Sequence, residues 1–389
     1  MTSTLRVLMV APEASSDAAA SLLAARLLSR HDVKLLAAGR SALRDVGADI
    51  IHDTVDLGQV GLVPVLLNWW RWSRAAAEIR DEILSSPPDV LVVFACRRFN
   101  LRIMRYARRV GAPVVWVYPP GDWVQSDYTD PKLLEAADLH VCAHGWQASR
   151  FQRHGAAVLP VPHHSVFPFD LSGEQIAEAE TLVPDGAGPA IAVMPGSRRD
   201  EVGRLMPIAV EALNLLAAKR PGTRAIISQA PGVSESQTAP HLERLSCPHV
   251  STRLPVRTVA SRADAAIVCC GTASTEVAMA DCPQVVVYKP LWITARLMER
   301  VGTRDGYRYL SMIDIGLNEG VVPELLDRDC RPDRVVGEVG TLLEGTDAIE
   351  RMRGLYGVYR AAISHGTWDA AADAIADLAA SRRSPGVTA

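Results

Sequence analysis

A set of short apolar runs, nearly continuous instead of alternating, restricts this fold more than any other feature of the sequence. Residues 5–11 (LRVLMVA), 32–39 (DVKLLAAG), 89–96 (DVLVVFAC) and 112–120 (APVVWVYPP) form one series. Residues 190–197 (AIAVMPGS), 224–232 (RAIISQAPG), 265–272 (AAIVCCGT) and 282–290 (CPQVVVYKP) form a second. A strand that is apolar on both faces has to be covered on both, as in a parallel sheet sandwiched between helices. The repeated strand–loop–helix order therefore predicts an α/β chain with two Rossmann-like domains. A Pro- and His-rich bridge at 159–170 (LPVPHHSVFPFD) parts the two series. It sets the expected domains at 1–165 and 166–354, with a last helix near 355–380 packing back on the first. A chain of 389 residues has room for two such cores.

Several function classes are excluded or disfavoured. A net charge of -3 gives no bulk attraction to nucleic acid, so any basic site must be local. Seven cysteines without C-x-x-C spacing fit a reducing cytoplasm and no zinc pattern. No apolar run reaches the ~18 residues that cross a bilayer, and the N-terminal residues read as a first strand rather than a signal peptide. Neither G-x-G-x-x-G nor G-x-x-x-x-G-K-[ST] occurs, which argues against a standard NAD or P-loop site.

In doubly wound sheets ligands lie at the carboxyl ends of strands, where loops meet helix N-termini. Three loops there carry candidate chemistry. The first places Glu13, Ser15, Ser16 and Asp17 at a helix start, where an ordinary N-cap is the simpler reading. In the second, Gly196 allows close backbone approach, Ser197 and the helix start offer donors, and Arg198 or Arg199 adds a cation for phosphate. The simpler reading is a turn whose arginines pair with Asp200 and Glu201. In the third, Gly271, Thr272, Ala273 and Ser274 open a helix that carries Glu276 a turn further in. A diphosphate fits such N–H groups and a ribose fits such a carboxylate, although a capped helix with a dipole-stabilising Glu has the same pattern. Two anion-binding loops in the second domain, facing a cleft with the first, suggest a nucleotide-sugar enzyme.

Arg98, Arg102, Arg105 and Arg109 are spaced four, three and four apart and form one stripe on a helix. A solvated face explains such a stripe, and so does a patch for anionic lipid headgroups or an acceptor phosphate. Residues 61–72 (GLVPVLLNWWRW) add Trp69 and Trp70, suited either to an interface or to a packed helix.

The ordered set of motifs resembles the lipid-A-disaccharide synthase family, inverting glycosyltransferases of GT-B architecture. PEASSD (12–17), GLVPVL (61–66), MPGSRRDEV (194–202), GTASTEVAMADCPQVVVYKP (271–290), GVVPELL (320–326) and RPDRV (331–335) follow the family's order over nearly the whole chain. The resemblance implies two domains facing a cleft. It also implies transfer of a diacylglucosamine unit from a UDP-linked donor to a diacylglucosamine 1-phosphate acceptor, releasing UDP. No metal or other cofactor is expected, and homodimers are a family-level expectation. The expected location is cytoplasmic, peripheral on the inner face of an anionic membrane.

The departures cluster in the acceptor half. The family places aspartates where this chain has Ala95 and Arg98, ahead of a retained Phe99-Asn100, and glycines where it has Pro12 and Ser16. Asp314 stands where asparagine is usual, and Asn318-Glu319 where Gly-Arg is usual. Permanently charged Arg98 cannot take a proton from an acceptor hydroxyl. Asp17 is the favoured base, ahead of Glu13, Asp122, His163 and His164. A related UDP-sugar transferase or epimerase, or a catalytically silent UDP-lipid-binding homologue, are the alternatives.

Overall fold

The computed structural model describes residues 4–54, 69–120, 131–168, 170–183, 188–290 and 309–383. The chain divides into two compact units, Met1–His164 with Ala362–Ala389, and Ser165–Ala361. In the first, the order is β1 (Leu5–Val10), α1 (Ala14–Arg30), β2 (Val33–Gly39), α2 (Ser41–Asp45), β3 (Asp49–Asp53) and α3 (Trp69–Ser85). There follow β4 (Val90–Phe94), α4 (Arg97–Arg109), β5 (Val114–Val117), α5 (Pro131–Leu134), β6 (Leu139–Cys142), α6 (Gly145–Arg153) and β7 (Val158–Pro160). The second unit runs α7 (Gly173–Glu180), β8 (Ala190–Met194), α8 (Arg199–Lys219), β9 (Arg224–Ser228), α9 (Glu235–Leu242), β10 (His249–Thr252) and α10 (Val256–Ala260). It continues with β11 (Ala265–Cys269), α11 (Thr272–Met279), β12 (Gln284–Tyr288), α12 (Met312–Leu317), β13 (Glu324–Leu326), α13 (Pro332–Glu344) and α14 (Thr346–Ala362). A last helix, α15 (Trp368–Arg383), belongs to the first unit.

Both sheets are parallel throughout, ordered β3-β2-β1-β4-β5-β6-β7 and β10-β9-β8-β11-β12-β13. The central strands explain the unbroken apolar runs. Every residue of β4, β5, β8 and β11 is buried, because helices cover both faces. The helices carry one apolar stripe each. In α4, Phe99, Ile103, Met104 and Ala107 enter the core that also holds Leu8, Val93 and Trp116. Trp72 of α3 meets Phe99 edge-on at 5.1 Å. The α15 helix lies along α1, where Arg30 and His31 reach Asp373 at 2.6 and 2.8 Å.

Candidate functional site

In the second unit β8 and β11 are hydrogen-bonded neighbours, so their two C-terminal loops open on the same sheet edge. The β8 loop is not the open anion cradle that the sequence suggests. Glu201, one turn into α8, folds back over it. Its Oε2 accepts the N–H groups of Ser197 (3.1 Å) and Arg198 (3.2 Å), and its Oε1 accepts the Arg198 guanidinium at 2.5 Å. A Cβ on Gly196 would lie 2.5 Å from Glu201 Oε2, and this residue has φ +111°, so only glycine lets the carboxylate in. The loop does bind an anion, but one supplied by its own chain. The sequence signal was present: an acid three residues beyond the N-cap residue is the capping-box spacing.

The β11 loop is different. Gly271, with φ +150°, caps α11, and a Cβ there would meet nothing within 4 Å. Thr272 and Ala273 are half-buried at the open first turn. Ser274 points inside instead: it is fully buried and its hydroxyl donates to the Gly271 carbonyl at 2.8 Å. Glu276 is half-buried, and desolvation pushes its carboxyl up to about 7 against the opposing pull of Arg257 on α10. Nothing in the sequence singled out Arg257, since its partner lies on a different helix. Among the described residues, no three His, Cys, Asp or Glu side chains are placed to hold a metal ion.

In the first unit the β1 loop divides its candidates. Asp17 is buried and committed to backbone: its oxygens accept the N–H groups of Arg40 (2.7 Å) and Ala42 (2.9 Å) at the start of α2. Desolvation outweighs those bonds and raises its pKa. It ties α1 to α2, a role incompatible with a free, solvent-facing base. Ser16 is also buried, whereas Glu13 and Ser15 are half-buried. Glu13 stands at the α1 N-cap with no capping bond, and its charge acts on Cys96 at the end of the neighbouring β4. Burial, helped by Glu13, pushes the Cys96 thiol up to about 12.

At that β4 end, Ala95 and Cys96 have φ of 45° and 30°, a left-handed pair costly for residues with a Cβ. Asn100 holds them there. It is fully buried and donates to the carbonyls of Phe94 (2.8 Å) and Ala95 (2.7 Å), and Trp116 Nε1 donates to Ala95 at 2.9 Å. Asn100 is therefore a brace in the core and not part of a surface patch. Its neighbours Arg98, Arg102, Arg105 and Arg109 are all exposed on α4, and no carboxylate pairs with them among the described residues. Trp69 and Trp70, at the start of the adjoining α3, are 63% and 51% exposed.

After β5, β6 and β7, Tyr118, His144, His163 and His164 gather. Tyr118 stacks on His163 at 5.4 Å, and the His163 and His164 rings are 4.3 Å apart. Burial holds all three imidazoles neutral, His144 and His164 down at about 4, which makes them poor proton acceptors at neutral pH. Asp122 and residues 61–66 lie outside the described residues.

Known proteins place this arrangement. Chains of the same architecture include S. aureus MnaA in a UDP co-structure (TM-score 0.64, 10% identity, 94% of each chain covered). The glycotransferase of kitacinnamycin is similarly alike (TM-score 0.63, 15% identity, covering 97% of this chain and all of that one). These likenesses identify the GT-B fold. The lipid-A-disaccharide synthase of Trichlorobacter lovleyi is 28% identical over 343 residues, 88% of this chain and 89% of that protein. The synthase of Xanthomonas axonopodis pv. citri is 27% identical over 383 residues, 97% and 87% of the two chains. A family model described as lipid-A-disaccharide synthetase matches residues 7–361, and the chain belongs to that family of glycosyltransferases.

Proposed function

We propose that the protein moves a diacylglucosamine unit from a UDP-linked donor to a diacylglucosamine 1-phosphate acceptor and releases UDP. The observation that carries this reading is the open first turn of α11 with Glu276 behind it. The N–H groups of Thr272 and Ala273 and the positive dipole end suit a diphosphate, and the carboxylate suits ribose hydroxyls. Gly271, Thr272, Ala273 and Glu276 hold the nucleotide in this scheme. Arg198 and the Ser197 hydroxyl meet the leaving phosphate from the β8 side, since the N–H groups there are already taken. Glu13 replaces Asp17 as the base, because its carboxylate has no hydrogen-bond partner among the described residues whereas that of Asp17 is taken by the Arg40 and Ala42 N–H groups. Ser15, one turn-start residue away, orients the acceptor hydroxyl.

The acceptor is delivered from an anionic membrane surface on the cytoplasmic side. The α4 arginine stripe and the exposed Trp69 and Trp70 on neighbouring α3 support this, each near-surface cation contributing about 1 kcal/mol. No helix among the described residues is long and apolar enough to cross a membrane. Flotation with phosphatidylglycerol vesicles should carry the protein upward, and neutral vesicles should not. Equal recovery with both would remove the patch from the scheme.

The deciding experiment incubates the purified protein with UDP-diacylglucosamine and diacylglucosamine 1-phosphate and reads products by mass spectrometry. A tetraacyl disaccharide 1-phosphate together with free UDP is the expected result. Intact substrates would favour the second reading, a silent UDP-lipid-binding homologue, which Ala95 and Arg98 at the family's aspartate positions support. Conversion of plain UDP-N-acetylglucosamine would favour an epimerase.

A further inference from the structure

Asp314 and Glu324 meet inside the second unit in a way that two carboxylates cannot. Asp314 is 1% exposed, and its Oδ1 accepts the N–H groups of Val321 (3.0 Å) and Val322 (3.2 Å). Its Oδ2 is buried with no donor among the described residues, yet the side chain is within hydrogen-bonding contact of Glu324. Glu324 is itself filled from the other side. Its oxygens accept the N–H of Leu310 (2.9 and 3.0 Å) and of Ser311 (2.5 Å). Two acceptor oxygens form a hydrogen bond only if one of them carries a proton. No arginine or lysine contacts either residue among the described residues, so no cation substitutes for that proton.

Among the described residues, the proton is the one charge compensation the surroundings leave. Cys270 from the end of β11 and Tyr356 from α14 face the pair, and burial raises both, the thiol to about 12, so both are neutral at physiological pH. Glu319, between α12 and β13, is held by Arg351 of α14 at 2.5 Å. Arg360 of the same helix is bound to Asp281 at 2.5 Å, and Lys289 after β12 donates to the Asp327 carbonyl at 2.6 Å. The α11 helix, packed on α12, has Glu276 as its one ionisable side chain, and that group faces Arg257. Desolvation and the Glu324 charge push Asp314 up to about 7.

We propose that Asp314 and Glu324 share one proton, and that this proton positions the Leu310–Ser311 backbone over the β11 loop, so that nucleotide binding weakens as the pair ionises. The link to the loop is short: the Leu310 carbonyl accepts from Cys270 Sγ at 3.4 Å, and Gly271 follows directly. Both residues are positioning residues, because neither needs to touch the ligand. The chain's own substitution makes the device. An asparagine at 314, the residue usual at this place, would donate permanently from its amide. The aspartate donates only while protonated. The proposal rests on the nucleotide reading of the β11 loop, but the shared proton itself does not.

The test compares the intact protein with Asp314→Asn by calorimetry with UDP at pH 6, 7 and 8, alongside thermal melts over the same range. The ratio of the wild-type Kd to the Asp314→Asn Kd should rise about tenfold from pH 6 to 8, the equivalent of one pKa unit linked to binding, since the ligand and Glu276 titrate alike in both proteins. Taken relative to Asp314→Asn, the wild-type midpoint should fall from pH 6 to 8, because the buried histidines and Glu276 titrate alike in both proteins. Parallel pH profiles for the two proteins, in binding and in melting, would overturn the proposal. If UDP binds neither protein at any pH, the function assigned to the β11 loop fails, and the melts still decide whether the proton is shared. If Asp314→Asn does not fold, Glu324→Gln supplies a permanent donor from the opposite side, and the wild-type midpoint should show the same fall relative to it. A pH profile parallel to the wild type's would equally overturn the shared proton.

Discussion

Glu201 occupies the place at the β8 loop where a phosphate oxygen would otherwise sit, and its negative charge lies beside whatever anion approaches. Glu201→Gln keeps an acceptor for the Ser197 and Arg198 N–H groups while removing that charge. UDP should then bind several-fold tighter by calorimetry. Weaker binding would mean that the carboxylate serves chiefly to hold the Arg198 guanidinium in place. Glu276→Gln should act in the opposite direction. A hydrogen bond to a charged acceptor contributes about 1.5–3 kcal/mol, so at pH 8, where Glu276 is mostly ionised, UDP affinity should fall by roughly ten- to a hundredfold. An unchanged Kd would remove Glu276 from the site. The sequence shows which loops follow which strands, but not which polar side chain turns inward. Asp17, Ser274 and Asn100 all have the composition of ligand-binding residues and are buried supports. The reason is general: a short polar side chain near a helix start bonds to local backbone as readily as to a ligand.

Junctions and edges are the elements where structure departs from pattern. The β4–α4 junction stores its strain in Ala95 and Cys96 and is held by the two Asn100 bonds. Asn100→Ala should lower stability by about 1–3 kcal/mol and, by letting the junction relax, reduce turnover more than substrate affinity. A lowered melting temperature with kcat unchanged would confine Asn100 to a structural role. The central strands were legible because both of their faces are covered. The strands that the apolar pattern missed include β3, β7, β10 and β13, the four sheet edges. An edge strand is short and half-wetted, so Asp49–Asp53 and His249–Thr252 carry charged or polar residues that read as loop. The arginine stripe of α4 was fully legible, because four residues at helical spacing share a face whatever lies beneath them.

At the scale of the molecule, the motif order along the chain carried the family assignment, and two parallel sheets realise it. Titration behaviour was not legible in the same way, since it depends on burial that no motif records. The His144–His163–His164 group shows this. All three imidazoles titrate below the ordinary value of 6.5, His144 and His164 near 4, because burial opposes their charge. Below pH 6.5 the unfolded chain takes up protons that the folded one refuses, so stability should fall as pH drops from about 6.5 to 4. Chemical denaturation across that window should show the loss, and His144→Asn should make it shallower. An identical acid limb in the variant would count against the buried neutral imidazole.

The α1–α15 contact has a consequence for how the protein is made. Arg30 and Asp373 are 343 positions apart, yet they close one and the same unit. Trp368, Ala372, Ile375 and Ala379 on α15 are buried within it. On the ribosome, the unit that starts first therefore finishes last. Its first helix waits with an uncovered flank while the entire other unit is translated and is free to fold. Whatever guards that flank in the interval, whether a chaperone or slow collapse of the nascent strands, acts on a surface that the mature protein no longer shows.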